Sequence, residues 1–292
     1  MSVAANLSSR GRLSSSYEVR FSQRLGWMYV AVQGIFFGIP ILLLVATSLR
    51  QYELGQPTGG YTLANYATVL TSSTFLPALL RSVTLSLLIA VVSVILALAT
   101  VLGSWRFARR TIRDAILLTC AVMFFAGIIP RVSATAFLLS ANGPFGTIWQ
   151  TVAPWSDGSL LYSTGGVILA SLPLVIPLGI IALHVARHNV PASYVDAGAD
   201  LGAGWLVVQR RVVLPLMRPG VIVAFLVAFI LSLGDVVVVD LVGGSQIYTA
   251  ALSIIDYTKI DDWGSAAAAA VVALAVVVTA VGGATWLLLR SL

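Results

Sequence analysis

The stretch LLRSVTLSLLIAVVSVILALATVL, residues 79–102, contains one charged residue, Arg81. A helix that crosses the hydrocarbon core of a bilayer needs about 20 predominantly apolar residues, so this stretch predicts a transmembrane helix. The whole chain agrees, because 59% of its 292 residues are hydrophobic and only 10% are charged. Soluble domains average about 25% charged residues, so lipid is the natural solvent for this chain.

Five further apolar stretches predict a polytopic membrane protein. The six predicted spans are residues 27–48, 79–102, 115–139, 166–183, 221–242 and 266–289. The third is interrupted by Gly127 and by Pro130-Arg131, which predict a kink or a break. A break at membrane depth is tolerated only where protein or a water-filled cavity covers it. We therefore expect an all-α fold with six transmembrane helices.

The distribution of basic residues predicts the orientation, because cytoplasmic loops are enriched in lysine and arginine. Thirteen of the 17 basic residues fall in the N-terminal tail, the loop after the second span, the segment after the fourth span and the C-terminus. The other four are Arg50, Arg81, Arg131 and Lys259. We therefore expect both termini in the cytoplasm.

The predicted organisation is a basic tail at residues 1–26 followed by a transmembrane domain at 27–292. Tyr17, Phe21 and Leu25 lie at helical spacing in the tail. This spacing is compatible with an amphipathic helix on the inner membrane surface. A disordered basic tail is the alternative interpretation.

Several other classes of site and function find little support in the sequence. The single cysteine, Cys120, excludes an intrachain disulfide and a multi-cysteine metal site. His184 and His188 have a spacing that can bind zinc, but no acidic or cysteine companion is nearby, so we expect no metal site. The basic residues lie between apolar runs, which argues against a nucleic-acid-binding face. A membrane-embedded hydrolase is also disfavoured, because Gly-x-Ser-x-Gly is absent.

The segment PASYVDAGADLGAGWLVVQRRVVLPLMRP, residues 191–219, predicts structure of its own, because it is long for a connection between two membrane helices. Ser193 and Asp196 fit the spacing of a capped helix start, which predicts a short helix at 194–201. Gly202 supplies a turn, since glycine adopts left-handed backbone angles at little cost. A second helical piece is expected to start near Trp205 and to end before the proline of the Leu-Pro pair.

This segment resembles the signature loop of binding-protein-dependent ABC importer permeases. That signature reads Glu-Ala-Ala, three residues, Gly, nine residues and Ile-x-Leu-Pro. The chain has Asp196-Ala197-Gly198, then Gly202, then Val212-Val213-Leu214-Pro215, at the same spacing. The departures are aspartate for glutamate, glycine for the second alanine and valine for isoleucine. The resemblance extends over roughly residues 63–289 and is closest to the polyamine and opine group of permeases.

The resemblance implies that the loop is a coupling helix, as in type I ABC importers, which docks on a cytoplasmic ATPase subunit. The implied docking residues are Asp196, Ala197, Gly198, Leu201, Gly202, Leu214 and Pro215. A solvated acidic face, formed by Asp196 and Asp200 at i, i+4, is the alternative interpretation of this helix.

The resemblance also implies the partners. These are two ATPase subunits that bind ATP and Mg, an external solute-binding protein, and a second permease chain that is either distinct or identical. The implied location of the permease is the bacterial inner membrane. The chain has no Gly-Lys-Ser or Gly-Lys-Thr loop, and Lys259 is its only lysine. We therefore expect no cofactor and no ATP hydrolysis in this chain. A self-contained carrier or channel is the rival function, but it leaves the signature loop unexplained.

Three charged residues at membrane depth are candidates for the transport path. Asp235 and Asp240 lie in the fifth predicted span and Arg131 in the third. Ionisable groups at such depth are costly and usually face a cavity or a partner. A path for a polyamine-like cation and a structural ion pair of Arg131 with one aspartate are both compatible. The apolar residues 126–129 depart from polyamine permeases, which carry polar residues there.

The outer segment at residues 256–263 holds three acids, a tyrosine and a tryptophan. In the family that the chain resembles, such outer loops meet the solute-binding protein. Acids and aromatic residues also mark ordinary membrane interfaces, which is the alternative interpretation.

Overall fold

The computed structural model describes residues 26–53, 55–152 and 159–291. The basic tail and its two interpretations therefore lie outside the described residues, except for Gly26, which is the first residue of α1.

Thirteen helices, two strands and three short non-α helical turns make up the described chain. The helices are α1 Gly26–Ser48, α2 Ala64–Thr71, α3 Phe75–Phe107, α4 Arg110–Phe125, α5 Ile128–Leu139, α6 Pro144–Val152, α7 Thr164–His188, α8 Ala192–Asp200, α9 Trp205–Val208, α10 Leu214–Leu216, α11 Arg218–Leu233, α12 Ala250–Lys259 and α13 Trp263–Ser291. The strands are β1 Arg50–Glu53 and β2 Gln56–Tyr61, which pair antiparallel. The turns are the π-helices Gln209–Val213 and Val239–Gly243 and the 3₁₀ helix Gly244–Gln246.

The helices confirm a polytopic membrane protein with about six spans. Four helices, α1, α3, α7 and α13, are each long and apolar enough to cross a bilayer. Two bent helix pairs bring the number to six if each pair is counted as one span. The short β1–β2 hairpin is the exception to the all-α prediction.

The third predicted span breaks earlier than Pro130-Arg131. Helix α4 ends at Phe125 and α5 begins at Ile128, with a bend of 103° between Arg110–Phe125 and Ile128–Thr151. Pro130 lies in the first turn of α5, where a missing N–H is tolerated because it has no intrahelical acceptor. The break therefore occurs at Gly127, and the proline is part of the new helix start.

The fifth predicted span, residues 221–242, is not one continuous helix. Helix α11 ends at Leu233, and Gly234 is its C-terminal cap. The backbone N–H of Val238 then donates to the Asp235 side chain at 3.0 Å, which caps a separate helical turn. The predicted span was wrong in this respect because a capping aspartate can start a new turn within an apolar stretch.

The core is the mutual contact of α3, α7 and α11. Small residues allow the helices to approach closely, as at Gly179 on α7, whose added Cβ would lie 3.2 Å from Ala97 on α3. At the basic end, Val213 and Met217 are fully buried against Val101 on α3 and Leu183 on α7. The segment after α7 is therefore anchored in the helix bundle at its base.

Helix α13, α2 and the start of α3 form a second packed region. The buried alanines Ala268 and Ala269 of α13 pack with Val69 of α2 and Phe75 of α3. Helix α1, by contrast, is exposed along almost its whole length, and only its last residue, Ser48, is buried. The apolar surface of α1 is thus left for lipid or for another protein chain.

Substitution of Gly220 by alanine is expected to destabilise the bundle. Its added Cβ would clash with the Cβ of Ala186, at the crossing of α11 and α7. Overpacking of this kind costs about 1–3 kcal/mol. We expect the apparent Tm of the purified chain in detergent to fall by about 2–4 °C per kcal/mol lost.

The control for this prediction is Gly282→Ala in α13, where nothing lies within 4 Å of the added Cβ. Alanine has the higher helix propensity, so this variant should keep or slightly raise the Tm. Equal Tm values for the two variants would contradict the close α11–α7 contact.

Candidate functional site

The short helix α8 begins one residue after Pro191, which has extended backbone angles and is the N-cap residue. Ser193 lies inside the first turn, and no side chain caps the helix start. The predicted Ser193 cap was therefore wrong, because proline already sets the extended angles that a helix start requires. The predicted helix itself is present, and it starts two residues and ends one residue earlier than predicted.

The end of α8 is a complete Schellman motif. Gly202 has φ +77°, and its N–H donates to the carbonyl of Ala199 at 2.9 Å. The N–H of Ala203 donates to the carbonyl of Gly198 at 3.1 Å. Nothing lies within 4 Å of an added Cβ at position 202, so the backbone angle, and not crowding, requires glycine here.

Helix α8 contains no buried residue. Leu201, at its end, is 88% exposed, and Tyr194 is 55% exposed. Asp196 and Ala197 are also exposed, and Asp196 forms no ion pair among the described residues. The helix therefore presents apolar and acidic groups together on a surface that the described chain leaves uncovered.

Gly198 of α8 contacts α9. An added Cβ at this position would lie 3.0 Å from Cγ2 of Val208, which is buried. Gly198 itself is half-buried. Its missing side chain allows α8 and α9 to pack closely.

A second contact, which the sequence did not indicate, ties α9 to α3. The guanidinium carbon of Arg106, at the end of α3, lies 4.5 Å from the ring centroid of Trp205. A guanidinium over an indole face is attracted by about 0.5–1 kcal/mol at an exposed site. The two residues are far apart in sequence, so local spacing contains no signal for this pair.

Leu214 and Pro215 lie apart from α8, at the base of the segment. The helical piece that starts at Trp205 continues through a π-helical stretch, Gln209–Val213, and includes Pro215, instead of ending before it. Both residues are half-buried beside a cleft of about 370 Å³. The chain then bends by 71° into α11. The predicted docking residues are thus divided between an exposed helix and a half-buried bend.

Asp235, the first candidate for the transport path, is 9% exposed. One carboxylate oxygen, Oδ1, accepts from Val238 N–H, while Oδ2 is buried with no hydrogen-bond partner among the described residues. Val238 packs in an apolar cluster with Val239, Val242, Val132 and Val167. An unsatisfied carboxylate oxygen in an apolar setting is costly, so a further cationic or donor group is expected there.

Asp240 and Arg131 do not pair with Asp235. Asp240 is exposed, on the π-helical turn Val239–Gly243. Arg131 donates from Nη1 to the carbonyl of Met123 at 3.3 Å, across the break between α4 and α5. Among the described residues, the only ion pair within 4.0 Å joins Lys259 to Asp256, so Arg131 makes no direct ion pair with an aspartate, although it lies close enough to Asp235 to act on it electrostatically. Arg131 instead stabilises a helix C-terminus.

The acids of the outer segment have partners within the segment. The Lys259 ammonium donates to Asp256 at 3.0 Å and lowers the pKa of that carboxyl, and the Tyr248 hydroxyl donates to its other oxygen at 2.9 Å. Asp262 accepts from Ser265 N–H at 3.0 Å, at the start of α13. Intrachain contacts thus account for two of the three acids.

Comparisons with known proteins assign this chain to a family. The sequence profile of the family described as "Binding-protein-dependent transport system inner membrane component" matches residues 19–290. The spermidine/putrescine transport system permease protein PotC of Haemophilus influenzae is 26% identical over 240 residues, 82% of this chain and 86% of the relative. The corresponding PotB of Escherichia coli is 23% identical over 245 residues, with the same coverage.

Two solved structures share the fold. A crystal structure of a bacterial ABC transporter that imports the acidic polysaccharide alginate matches with a TM-score of 0.72 and 16% identity, covering 94% of this chain and 98% of that chain. The bacterial alginate ABC transporter in complex with alginate pentasaccharide-bound periplasmic protein matches with a TM-score of 0.67 and 15% identity, covering 92% and 96%.

Replacement of Gly198 by leucine is expected to separate α8 from α9, because the new side chain would occupy the position of Val208. We expect a loss of about 1–3 kcal/mol from local overpacking. The measurement is the rate of limited proteolysis within residues 191–219 of the purified chain, which should rise.

The matched control is Ala199→Leu, at an exposed position of the same helix. It should leave the cleavage rate near that of the unmodified chain. Adding Val208→Ala to Gly198→Leu should restore part of the protection. Equal rates for the two leucine variants would show that Gly198 does not hold α8 in place.

Proposed function

This chain belongs to the binding-protein-dependent transport system inner membrane components and is the permease subunit of an ATP-driven ABC importer, and on that premise we propose that α8 docks on a cytoplasmic ATPase subunit. The observation that carries the proposal is the exposure of a whole structured helix, ending at Leu201, which is 88% exposed. Leucine gains about 1.5–3 kcal/mol on full burial, so this end of α8 is suited to a groove on a partner.

The docking surface consists of Asp196, Ala197, Leu201 and Gly202, which are all exposed. In this proposal, Gly198, Leu214 and Pro215 hold the docking surface in place and do not contact the ATPase themselves. Close packing of Gly198 on Val208, together with the Arg106–Trp205 contact, holds α8 against α9 and the end of α3. Motion of a docked ATPase would therefore reach the membrane helices through these two contacts.

The orientation that this function requires places both termini in the cytoplasm. The basic ends of α3, α7 and α13, at Arg106, Arg187 and Arg290, agree with the enrichment of arginine in cytoplasmic loops. Two ATPase subunits would bind ATP and Mg, since the chain has no phosphate-binding glycine loop.

A second permease chain completes the translocation path in this proposal. Its support is the exposed apolar surface of α1 and the exposed position of Asp240, which a partner chain would cover. We favour a similar but distinct chain over a second copy, because Escherichia coli has both a PotB and a PotC relative of this chain. The solute would be delivered by an external solute-binding protein at the side of α12.

We propose a small organic cation as the solute. The free Oδ2 atom of buried Asp235 would supply the negative charge that attracts it. The relatives named as spermidine/putrescine permeases agree with a cationic solute. The apolar residues 126–129 argue for a solute with fewer polar contacts than a polyamine.

Gly202→Asp is expected to uncouple ATP hydrolysis from uptake. The residue needs φ +77°, which costs a residue with a side chain about 1–2 kcal/mol, and the carboxylate would enter the docking surface. Uptake into proteoliposomes containing the whole transporter should be lost while basal ATPase activity persists.

Gly59→Asp provides the control, because Gly59 also has a positive φ, +86°, and open space, but lies in β2 at the other end of the molecule. This variant should retain coupled uptake. Normal uptake by Gly202→Asp would refute the docking assignment.

Asp235→Asn should weaken transport of a cationic solute by at least about tenfold, the effect of losing one charge-assisted interaction. Asparagine keeps the size of the side chain and the acceptor for Val238 N–H. The solute is first identified by a binding screen on the solute-binding protein that co-purifies with the complex, and saturable uptake is then measured.

Asp240→Asn removes the same charge from an exposed position and should have a smaller effect. Unchanged affinity and rate in Asp235→Asn would remove the carboxylate from the path without affecting the docking proposal.

A further inference from the structure

Three helix ends meet around one indole ring at the basic end of the molecule. Trp105 lies in the last turn of α3, Arg113 in the first turn of α4 and Arg187 in the last turn of α7. The guanidinium carbons of Arg113 and Arg187 lie 4.5 Å and 4.4 Å from the centroid of the Trp105 ring. Two positive groups are therefore held together on a single aromatic side chain.

Neither arginine has a countercharge in the described chain. Arg187 is only 7% exposed, and its Nε donor has no hydrogen-bond partner among the described residues. The indole N–H of Trp105 likewise lacks an acceptor there. The one carboxylate close in sequence, Asp114, is exposed and forms no ion pair within the described chain. A buried charge without a partner is strongly destabilising, so an acceptor from outside the chain is expected.

Two imidazole rings and an uncapped helix start also lie around the indole ring. His184 and His188 lie with ring centroids 5.8 Å and 6.5 Å from that of Trp105. Helix α4 begins at Arg110 after Arg109, with no side chain capping its first N–H groups. A helix N-terminus that is left uncapped favours an anion, and it adds to the field of the two guanidiniums.

We infer that Arg113 and Arg187 bind the phosphate of a phosphate-bearing ligand, with the headgroup of an anionic phospholipid as its source. Guanidinium and phosphate pair with two parallel hydrogen bonds, which suits two arginines that have free donors. The cluster lies at the ends of membrane-spanning helices, which is the level of lipid headgroups, and basic pockets between such helices bind anionic lipids. Bound lipid would fix the ends of α3, α4 and α7 next to the Arg106–Trp205 contact.

Native mass spectrometry of the purified full chain, with the subunits that co-purify, tests this inference. The probes are phosphatidylglycerol, phosphatidylcholine with the same acyl chains, and inorganic phosphate. We expect phosphatidylglycerol to be retained at least about tenfold better than phosphatidylcholine. Arg113→Gln, at a half-buried position, and Arg187→Gln should each lose most of this preference.

The matched control is Arg290→Gln. Arg290 also lies over a tryptophan, 3.7 Å from the Trp286 ring centroid, at a basic helix end, but it is exposed. This variant should retain the lipid preference. Equal retention of the two lipids, or an unchanged preference in Arg113→Gln, would overturn the site. Displacement of phosphatidylglycerol by millimolar inorganic phosphate would assign the site to free phosphate and overturn the lipid source.

Discussion

The close contact of α3, α7 and α11 is the constraint on which the other features depend. Glycine and alanine at the crossings, as at Gly179 and Gly220, bring the backbones together, and this packing is what holds helices together in lipid. The contact sets where the basic ends of α3 and α7 lie. It also anchors Val213 and Met217, and with them the base of the segment that carries α8.

The segment at residues 191–219 combines a buried base with an exposed tip. Val213 and Met217 at its base are fully buried, the Gly198–Val208 and Arg106–Trp205 contacts hold its middle, and its tip at Leu201 is exposed. In the proposed docking, a force on the tip would therefore be transmitted to the helix bundle through these contacts. The Schellman motif at Gly202 contributes because it satisfies the last carbonyl groups of α8 and so keeps the tip helical.

Both interruptions of the apolar spans place polar groups at helix ends. At Gly127 the freed carbonyl of Met123 accepts from Arg131, and after Gly234 the Asp235 carboxylate accepts from Val238 N–H. Backbone groups at membrane depth must find partners inside the protein, which explains why a charged side chain accompanies each break. Asp235 differs from Arg131 because one of its buried oxygens has no hydrogen-bond partner among the described residues, which is the basis of its proposed role in the transport path.

The sequence alone determined the membrane environment, about six spans and the signature segment, because these depend on apolar length, glycine spacing and local turns. It also placed Gly202 at a turn, since a left-handed backbone angle is a local property. Only the tertiary structure decided that Gly198 packs against Val208 and that Arg131 donates to a carbonyl and not to an aspartate. It also decided that arginine guanidinium groups lie over the rings of Trp105 and Trp205. These contacts join residues from different helices, and helical periodicity in one segment contains no information on which neighbour it will meet.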